Sequence, residues 1–333
     1  MTVPVWIWIA TIIAIAALLA FDYVFHVRQA HEPTLREAAV WSAIYVGIAV
    51  VFGVLVLVFG GAQMGTEYFA GYITEKALSV DNLFVFLVIM TSFAVPRMHQ
   101  QKVLLFGITF AIIARTGLIF VGAAMIDTLA WTFYLFGLIL IVTAINMMRP
   151  SHGDDGENIV VRLARRVIPT SDDYDGDRLT TRVDGRRLMT PMLLVMVAIG
   201  GTDILFAFDS IPAILGLTPN TYIVFSATVF SLLGLRQLYF LIDGLLERLV
   251  YLSIGLSLIL LFIGVKLMLH ALHENSLGFI NGGRPVAVPE IPTMTSLLVI
   301  IGILMITVVA SVLRSSHTAR AERVDAGPAD REG

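Results

Sequence analysis

The chain has 333 residues, of which 57% are hydrophobic and only 14% are charged, whereas a soluble globular protein carries about 25% charged residues. This composition excludes an ordinary water-soluble enzyme. The net charge of -3 offers no basic surface for nucleic acid. Cysteine is absent, which removes disulfides, thiolate metal sites and thiol redox chemistry, so a bound metal would meet oxygen, imidazole or thioether ligands.

Nine apolar stretches are long enough to cross a hydrocarbon core, which takes about 20 helical residues. They lie near residues 4–22, 38–60, 66–93, 102–125, 128–148, 191–215, 220–242, 249–270 and 295–313. The pattern predicts an all-α polytopic membrane protein with nine transmembrane helices. Two N-terminal helices fill residues 1–62, a polar loop fills 149–190, a second loop fills 271–294, and we expect a disordered tail at 314–333. The first stretch lacks the features of a cleaved signal peptide and should remain in the mature protein.

The distribution of Lys and Arg predicts the orientation of these spans, because cytoplasmic loops are rich in both residues. Apart from four basic residues inside spans, every Lys and Arg except Arg284 lies after an odd-numbered span or in the C-terminal tail. The N-terminus is therefore predicted outside, and the C-terminus and the loop 149–190 in the cytoplasm.

Three features are predicted within the cytoplasmic loop. Residues 157–168 place an apolar face opposite several arginines, which is typical of an interfacial helix on anionic headgroups. Asp184 and Gly185 predict a tight hairpin turn between 179–183 and 186–189. The acidic run 172–177 lacks the spacing of an EF-hand, and we interpret it as a solvated turn.

Charged residues at membrane depth are the strongest functional signal. Each would cost about 3 kcal/mol if it faced lipid, so we expect them to face one another or a polar cavity. Lys266 is a weaker member because it lies near a span end, from which a long side chain can reach water. The four acids and four bases are Glu75, Lys76, Asp81, Arg115, Asp203, Asp209, Arg236 and Lys266.

The two acidic spans match each other. Glu75 and Asp81 are six residues apart, as are Asp203 and Asp209, and each acidic span precedes a span with one arginine and then an apolar span. Residues 66–148 and 191–270 are therefore predicted to be a duplicated three-helix unit. Because three is an odd number, the second copy is inverted, as in secondary transporters that bind substrate at the midplane between their repeats.

The polar residues of these spans form a candidate metal site. Two carboxylates six residues apart point about 120° away from each other on a straight helix, so convergence predicts broken helices, and Gly200-Gly201 and Pro212 favour a break in the sixth span. Oxygen ligands suit Mg, Ca or Mn, whereas Met196 is more often a packing residue. The candidate ligands are Glu75, Asp81, Asn82, Asp203, Asp209 and Ser210, with Lys76, Arg115 and Arg236 as charge-balancing residues.

Several of these stretches closely resemble the TerC/Alx family over about residues 40–313. They are Glu75 to Asn82 with Leu83 to Phe86, Arg115, Thr202 to Ala213, Gly234 to Leu241 and Phe262 to Lys266. The resemblance implies a nine-span protein of the bacterial inner membrane, named for tellurium resistance and associated with manganese(II) export. It also implies metal-site roles for the acids, Asn82 and Ser210. Many relatives carry another acid where this chain has Gly200, which affects the charge of the site and its metal preference.

The favoured hypothesis is a divalent-cation exporter, most specifically for Mn²⁺, with protons as the coupling ion and the lipid bilayer as its other partner. We expect no enzyme activity, no resident cofactor and no nucleic-acid partner, and the sequence indicates no oligomeric state. A membrane scaffold in tellurite or stress response remains an alternative. An intramembrane aspartyl protease would use Asp81 and Asp209 as its dyad.

Two structural interpretations also remain open at this stage. The charged residues inside the spans could form an ion-pair network that binds no ligand. His270, His273 and Glu274 could form a metal site at the outer face, although a polar span end explains them equally well.

Overall fold

The computed structural model describes residues 3–27, 33–129, 131–148, 174, 176, 178–183, 186–242, 251–275, 277 and 280–325. These residues are mostly helical, in agreement with the predicted fold class. The predicted interfacial helix at 157–168 and most of the acidic run 172–177 lie outside them. In chain order the elements are α1 Val5–Asp22, a π-helical turn Tyr23–Val27, α2 Leu35–Ser92, α3 Arg97–Thr128, α4 Thr132–Met148, β1 Thr180–Val183, β2 Arg186–Met189, α5 Pro191–Leu215, α6 Thr221–Leu232, α7 Leu235–Ile242, α8 Leu252–His273, a 3-10 turn Asn281–Gly283 and α9 Thr293–Asp325.

Seven helical stretches of the described chain are long and apolar enough to cross a membrane. One of them, α2, has 58 residues and is interrupted at Gly61, where φ is 88°. At about 1.5 Å per residue it measures about 87 Å, enough for two crossings of a hydrocarbon core about 30 Å thick. The apolar helix α4 has 17 residues and falls just short of a full crossing. The count of nine spans therefore stays a prediction.

Local sequence explains where several helices begin. The Thr34 hydroxyl accepts a hydrogen bond from the Glu37 amide at the start of α2, in a Thr-x-x-Glu sequence that favours a helix N-terminus. Pro191 occupies the first turn of α5, where its missing N–H leaves no bond unmade. The Asn220 side chain accepts a hydrogen bond from the Tyr222 amide at the start of α6, as N-cap residues do.

The predicted pairing of the two strands is confirmed, while the turn residues Asp184 and Gly185 lie outside the described residues. Strands β1 and β2 pair antiparallel, with Val183 opposite Arg186 at the turn end and Thr180 opposite Met189 at the other. The Thr190 amide extends the pairing by donating to the Leu179 carbonyl at 3.0 Å. This short sheet therefore leads directly into α5.

The polar loop also contacts the end of α2. The Tyr174 hydroxyl donates to the Phe93 carbonyl at 2.8 Å, and burial raises the pKa of Tyr174 to about 12. At the other end of the chain, α9 is described as far as Asp325, and the disordered tail at 314–333 stays a prediction. The last residues of α9 include Ala, Arg and Glu, which are strong helix formers.

The break predicted in the sixth span lies elsewhere. Helix α5 runs without interruption through Gly200-Gly201. Pro212 lies in the last turn of α5, where its missing N–H costs one backbone hydrogen bond and does not break the helix. The seventh span is the broken one: α6 ends at Leu232 and α7 begins at Leu235. Between them Gly234 has a φ of 78°, and a Cβ added there would lie 2.6 Å from the Tyr45 Cβ. Both facts favour glycine at this position.

Helix pairs with close backbone contact form the interior. A Cβ on Gly137 of α4 would lie 3.0 Å from the Gly264 carbonyl oxygen of α8, and one on Gly107 of α3 would lie 2.7 Å from Ile199 of α5. The second part of α2 packs against α6, where Gly71 faces Ala227. The outer surface is apolar, with Phe59 85% exposed and Ile306 72% exposed, as expected of a surface that faces lipid.

Candidate functional site

Arg115 of α3 joins the two acidic helices. Its Nε and Nη2 donate to the two carboxylate oxygens of Asp203 on α5, at 3.0 and 2.9 Å. Its Nη1 donates to Glu75 on α2 and to the Ser210 hydroxyl, the latter at 3.0 Å. Arg115 and Glu75 are both fully buried, and Asp203 is 2% exposed. The predicted convergence of the two acidic spans is therefore organised around one guanidinium, which matches carboxylate geometry.

The other two acids lie beside this cluster and are half-buried. Asp209 is within electrostatic range of Arg115, Glu75 and Asp81. Asp81 accepts a long hydrogen bond, 3.4 Å, from the Ser253 hydroxyl of α8. Neither carboxylate forms an ion pair within the described part of the chain. We call Glu75, Asp81, Asp203 and Asp209 together the four-acid group.

The remaining predicted ligands differ in position. Ser210 contacts Arg115, whereas Asn82 is buried one residue beyond Asp81 and outside the hydrogen bonds of Arg115. Met196 lies in the apolar core, which favours its interpretation as a packing residue. Gly200 lies against Phe110: a Cβ would stand 2.9 Å from the ring. An acid at this position would therefore require Phe110 to move.

Lys76 contacts the C-terminal end of α6, next to the break between α6 and α7. Its ammonium donates to the carbonyl oxygen of Ser231 at 3.0 Å, in the last turn of α6. Helix C-termini carry partial negative charge from their unpaired carbonyl groups. Lys76 therefore stabilises the C-terminal end of α6. This hydrogen bond is its only polar contact with the described residues.

Arg236 lies away from the four-acid group, contrary to our expectation that it offsets their charge. Its Nη2 donates to Asp22 at 2.8 Å and its Nη1 to Gln101 at 2.7 Å. The same Asp22 oxygen also accepts from Tyr45 and from the Gln237 side chain. Gln101 and Arg115 are both on α3, about 21 Å apart along the helix. Arg236 thus ties α7 to α1 and α3 at the end of the bundle predicted to be cytoplasmic.

A further buried acid, Glu67, lies near the start of the third predicted span and was not among the predicted site residues. It is 6% exposed and accepts hydrogen bonds from Gln63 at 3.1 Å and Thr218 at 2.6 Å. It lines a cavity of about 480 Å³ together with Lys266, whose charge it influences electrostatically. Glu67 lies one residue inside the predicted start of the third span. A carboxylate at that position is easily interpreted as facing the membrane interface.

The same cavity is lined by His270 and Glu290. His270 lies 3.5 Å from Glu274 and 3.4 Å from Glu290, and His273 lies 4.0 Å from Glu290. These side chains make the C-terminal end of α8 polar. Within the described ranges, no three His, Asp or Glu side chains stand close enough to hold a metal ion as they are placed.

Pairing the buried charges shows what the site can attract. Asp22 compensates Arg236, and Glu67 lies with Lys266, so two acids absent from the predicted set account for two of the four bases. The four-acid group then remains with Arg115 and Lys76, and of these two only Arg115 contacts an acid of the group, since the Lys76 ammonium binds the Ser231 carbonyl. Four acids and two bases leave a formal charge of -2 among these six described residues, and this charge creates a potential that attracts cations.

Comparison with known proteins places the chain in a family. The model of the integral membrane protein TerC family matches residues 60–319. The chain is 62% identical to an uncharacterized membrane protein of Mycobacterium tuberculosis, over 92% of this chain and 78% of that protein. It is 39% identical to an uncharacterized membrane protein of Myxococcus xanthus over 93% of both chains.

A further relative is the putative membrane-bound redox modulator Alx of Escherichia coli, which is 34% identical over 90% of this chain and 92% of that protein. No solved structure matches the chain. The family match covers more than three quarters of the chain and includes both acidic helices. The protein therefore belongs to the TerC family of integral membrane proteins.

Proposed function

We propose that this protein is a secondary transporter that exports divalent cations, Mn²⁺ foremost, across the bacterial cytoplasmic membrane. The observation that carries the proposal is the charge of the four-acid group. Two negative charges remain after Arg115 and Lys76 are counted, which equals the charge of one divalent cation. Buried charge of this kind is costly in a membrane and is typical of ion pathways.

The donor atoms favour a hard cation. Carboxylate and hydroxyl oxygens are the ligands that Mn²⁺, Mg²⁺ and Ca²⁺ prefer, and the chain has no cysteine thiolate to favour Zn²⁺ or Cu⁺. The family resemblance implies manganese export, and on this ground we propose Mn²⁺ among these cations. Glu75 and Asp203 would be the central ligands, with Ser210 beside them and Asp209 within electrostatic range.

Helix packing supports an inverted repeat of residues 66–148 and 191–270. The first helix of each unit packs against the second helix of the other unit: the second part of α2 packs against α6, and α5 packs against α3. The third helices of the two units, α4 and α8, pack against each other. The directions agree with nine spans. Helices α3 and α5 are parallel, since Gly107 faces Ile199 and Gly122 faces Ile211, whereas α4 and α8 are antiparallel, since Gly137 faces Met268 and Gly264 faces Ile141.

Carboxylates along α2 suggest the route of the cation. Asp81, Glu75 and Glu67 follow one another towards the face predicted to be outside, separated by about 9 and about 12 Å along the helix. Glu67 borders the cavity of about 480 Å³. A cation that leaves Glu75 would therefore meet a second carboxylate and then a polar cavity before it reaches the outer solution.

Export of a divalent cation against an inside-negative potential requires a coupled energy source. At 100 mV the electrical work is about 4.6 kcal/mol for two charges. Protons are the proposed coupling ion, because buried carboxylates exchange protons and metal at the same oxygen atoms. The N-terminus lies outside and the C-terminus in the cytoplasm in this proposal.

The name of the E. coli relative, a putative membrane-bound redox modulator, suggests a role in redox state. Thiol chemistry is not open to this chain because it has no cysteine. Transport of a redox-active divalent cation would give a membrane protein such an influence indirectly. The scaffold and protease alternatives gain no comparable support from the charge distribution, and the following experiment separates them from transport.

The test is uptake into inside-out vesicles that contain the protein, with Mn²⁺, Ca²⁺, Mg²⁺, Fe²⁺ and Zn²⁺ compared. We expect Mn²⁺ uptake, increased by a pH gradient that is acidic inside the vesicle. Vesicles with Asp81→Asn or Asp209→Asn serve as matched controls and should lose this uptake. Equal uptake of every cation by wild-type and variant vesicles would contradict the proposal, and a protease or scaffold predicts that outcome.

A further inference from the structure

The contacts of Arg115 raise a question about transport. Its guanidinium uses its Nε, Nη1 and Nη2 atoms on Glu75, Asp203 and Ser210. These three side chains are also the best-placed oxygen ligands for a cation. Arg115 itself is fully buried, so its charge has no solvent to return to. A cation and the guanidinium would therefore compete for the same oxygen atoms.

Glu75 provides a second, independent observation. Its Oε1 is bound to Arg115, but its Oε2 has no hydrogen-bond partner and the residue is fully buried. An unpaired buried carboxylate oxygen is costly and calls for a water or an ion. One oxygen of Glu75 is thus available to an incoming cation while the other is still held by Arg115.

We propose that Arg115 is a tethered cation that competes with the transported divalent cation for Glu75 and Asp203, and thereby sets how easily that cation leaves. This inference rests on the proposed transport function. An arriving cation binds the free Glu75 oxygen first and takes the remaining oxygens as the guanidinium withdraws. Asp209, which is within electrostatic range of Arg115, remains to offset the displaced charge.

Competition of this kind serves turnover. Four carboxylates without an internal cation would hold a divalent cation tightly, and transport requires binding weak enough for release. Return of Arg115 to Asp203 replaces the departing cation with a permanent positive charge. Arginine suits this role because it stays protonated at any physiological pH. Arg115 is thus a positioning and release residue, and a merely structural role would have the opposite effect on affinity.

The experiment measures Mn²⁺ binding and Mn²⁺ transport on the same purified proteins. Free Mn²⁺ gives a sharp electron paramagnetic resonance spectrum that is lost on binding, so the fraction bound can be titrated directly. In Arg115→Gln we expect binding tighter by about tenfold, equivalent to about 1.4 kcal/mol, together with slower export from proteoliposomes. Arg115→Lys keeps the charge but loses the forked contact with Asp203, so its affinity should lie between wild type and Arg115→Gln.

Control variants separate this inference from the proposed function. Arg284→Gln removes one positive charge from the exposed outer loop and should bind and export Mn²⁺ like wild type. If Arg115→Gln does not fold, Arg115→Lys decides. A folded variant at position 115 that binds Mn²⁺ no more tightly than wild type overturns the inference. Absence of Mn²⁺ binding by wild type overturns the proposed function instead.

Discussion

Arg115 and Asp203 are 88 positions apart in the chain, yet the guanidinium holds both carboxylate oxygens, at 3.0 and 2.9 Å. The pair links the middle of α3 to the middle of α5, and Glu75 extends the link to α2. Three helices from the two predicted repeat units are therefore joined at one buried charge. This arrangement divides the four-acid group into acids that hold the helices together and acids that do not.

The first prediction concerns this division. Asp81→Asn and Asp209→Asn should each abolish Mn²⁺ efflux while the free energy of unfolding falls by about 1 kcal/mol or less, because neither carboxylate binds Arg115. Asp203→Asn should destabilise the protein by about 3 to 5 kcal/mol, because it leaves a buried guanidinium short of a partner. Cellular Mn content after a manganese challenge and thermal unfolding in detergent measure the two effects. Normal efflux in well-expressed Asp81→Asn and Asp209→Asn would contradict the transport role.

The second prediction concerns the pair between Asp22 and Arg236. Arg236→Gln should lower stability by about 3 to 5 kcal/mol because Asp22 loses its charged partner. Combination with Asp22→Asn should recover part of the loss, since the two residues share one network. Combination with Asp209→Asn is the matched control and should give additive losses. Recovery with Asp209→Asn alone would mean that Arg236 serves the four-acid group after all.

The third prediction concerns the break between α6 and α7. Gly234→Ala should destabilise the protein by about 2 kcal/mol or more, because alanine is strained at a φ of 78° and its Cβ would meet Tyr45 at 2.6 Å. Gly47→Ala is the control: Gly47 is helical, exposed and has nothing within 4 Å of an added Cβ. Its stability should stay the same or rise by about 1 kcal/mol. Thermal unfolding of both variants side by side measures the difference.

The fourth prediction concerns orientation. A cysteine introduced at Thr180, in the loop predicted to be cytoplasmic, should resist membrane-impermeant thiol reagents in intact cells. A cysteine at Arg284, in the loop predicted to be outside, should react readily. The chain has no cysteine of its own, so labelling reports only these positions. Both cysteines should react once the membrane is permeabilised, and the reverse pattern in intact cells would invert the proposed topology.

Sequence periodicity and charge predicted much of the fold because these features record burial directly. Long apolar runs predicted the membrane helices, and Asp184-Gly185 predicted the hairpin. The matching spacing of acids predicted that Glu75 and Asp203 would meet, and Arg115 contacts both. These predictions depend only on residue type and spacing, which can be read directly from the sequence.

Other features depend on backbone geometry and long-range contacts, which residue type does not fix. Gly200-Gly201 resembles a break, but α5 continues through both glycines, and Gly200 instead allows α5 to approach Phe110 of α3. The break occurs instead at Gly234, a single glycine inside a predicted span. Asp22 and Glu67 were missed as partners of Arg236 and Lys266 because each lies at the end of an apolar run, where an acid is normally solvated.

The contact between Asp22 and Arg236 bears on how this protein could be shortened or recombined. The TerC family model begins at residue 60, one position before the backbone interruption at Gly61, so this point invites truncation or fusion. A chain that started there would retain the whole four-acid group but lose Asp22 and Tyr45. Of its partners among the described residues, Arg236 would keep Gln101 and lose its carboxylate. A shortened form of the protein would therefore need a neutral residue at position 236 before the first two helices could be exchanged or removed.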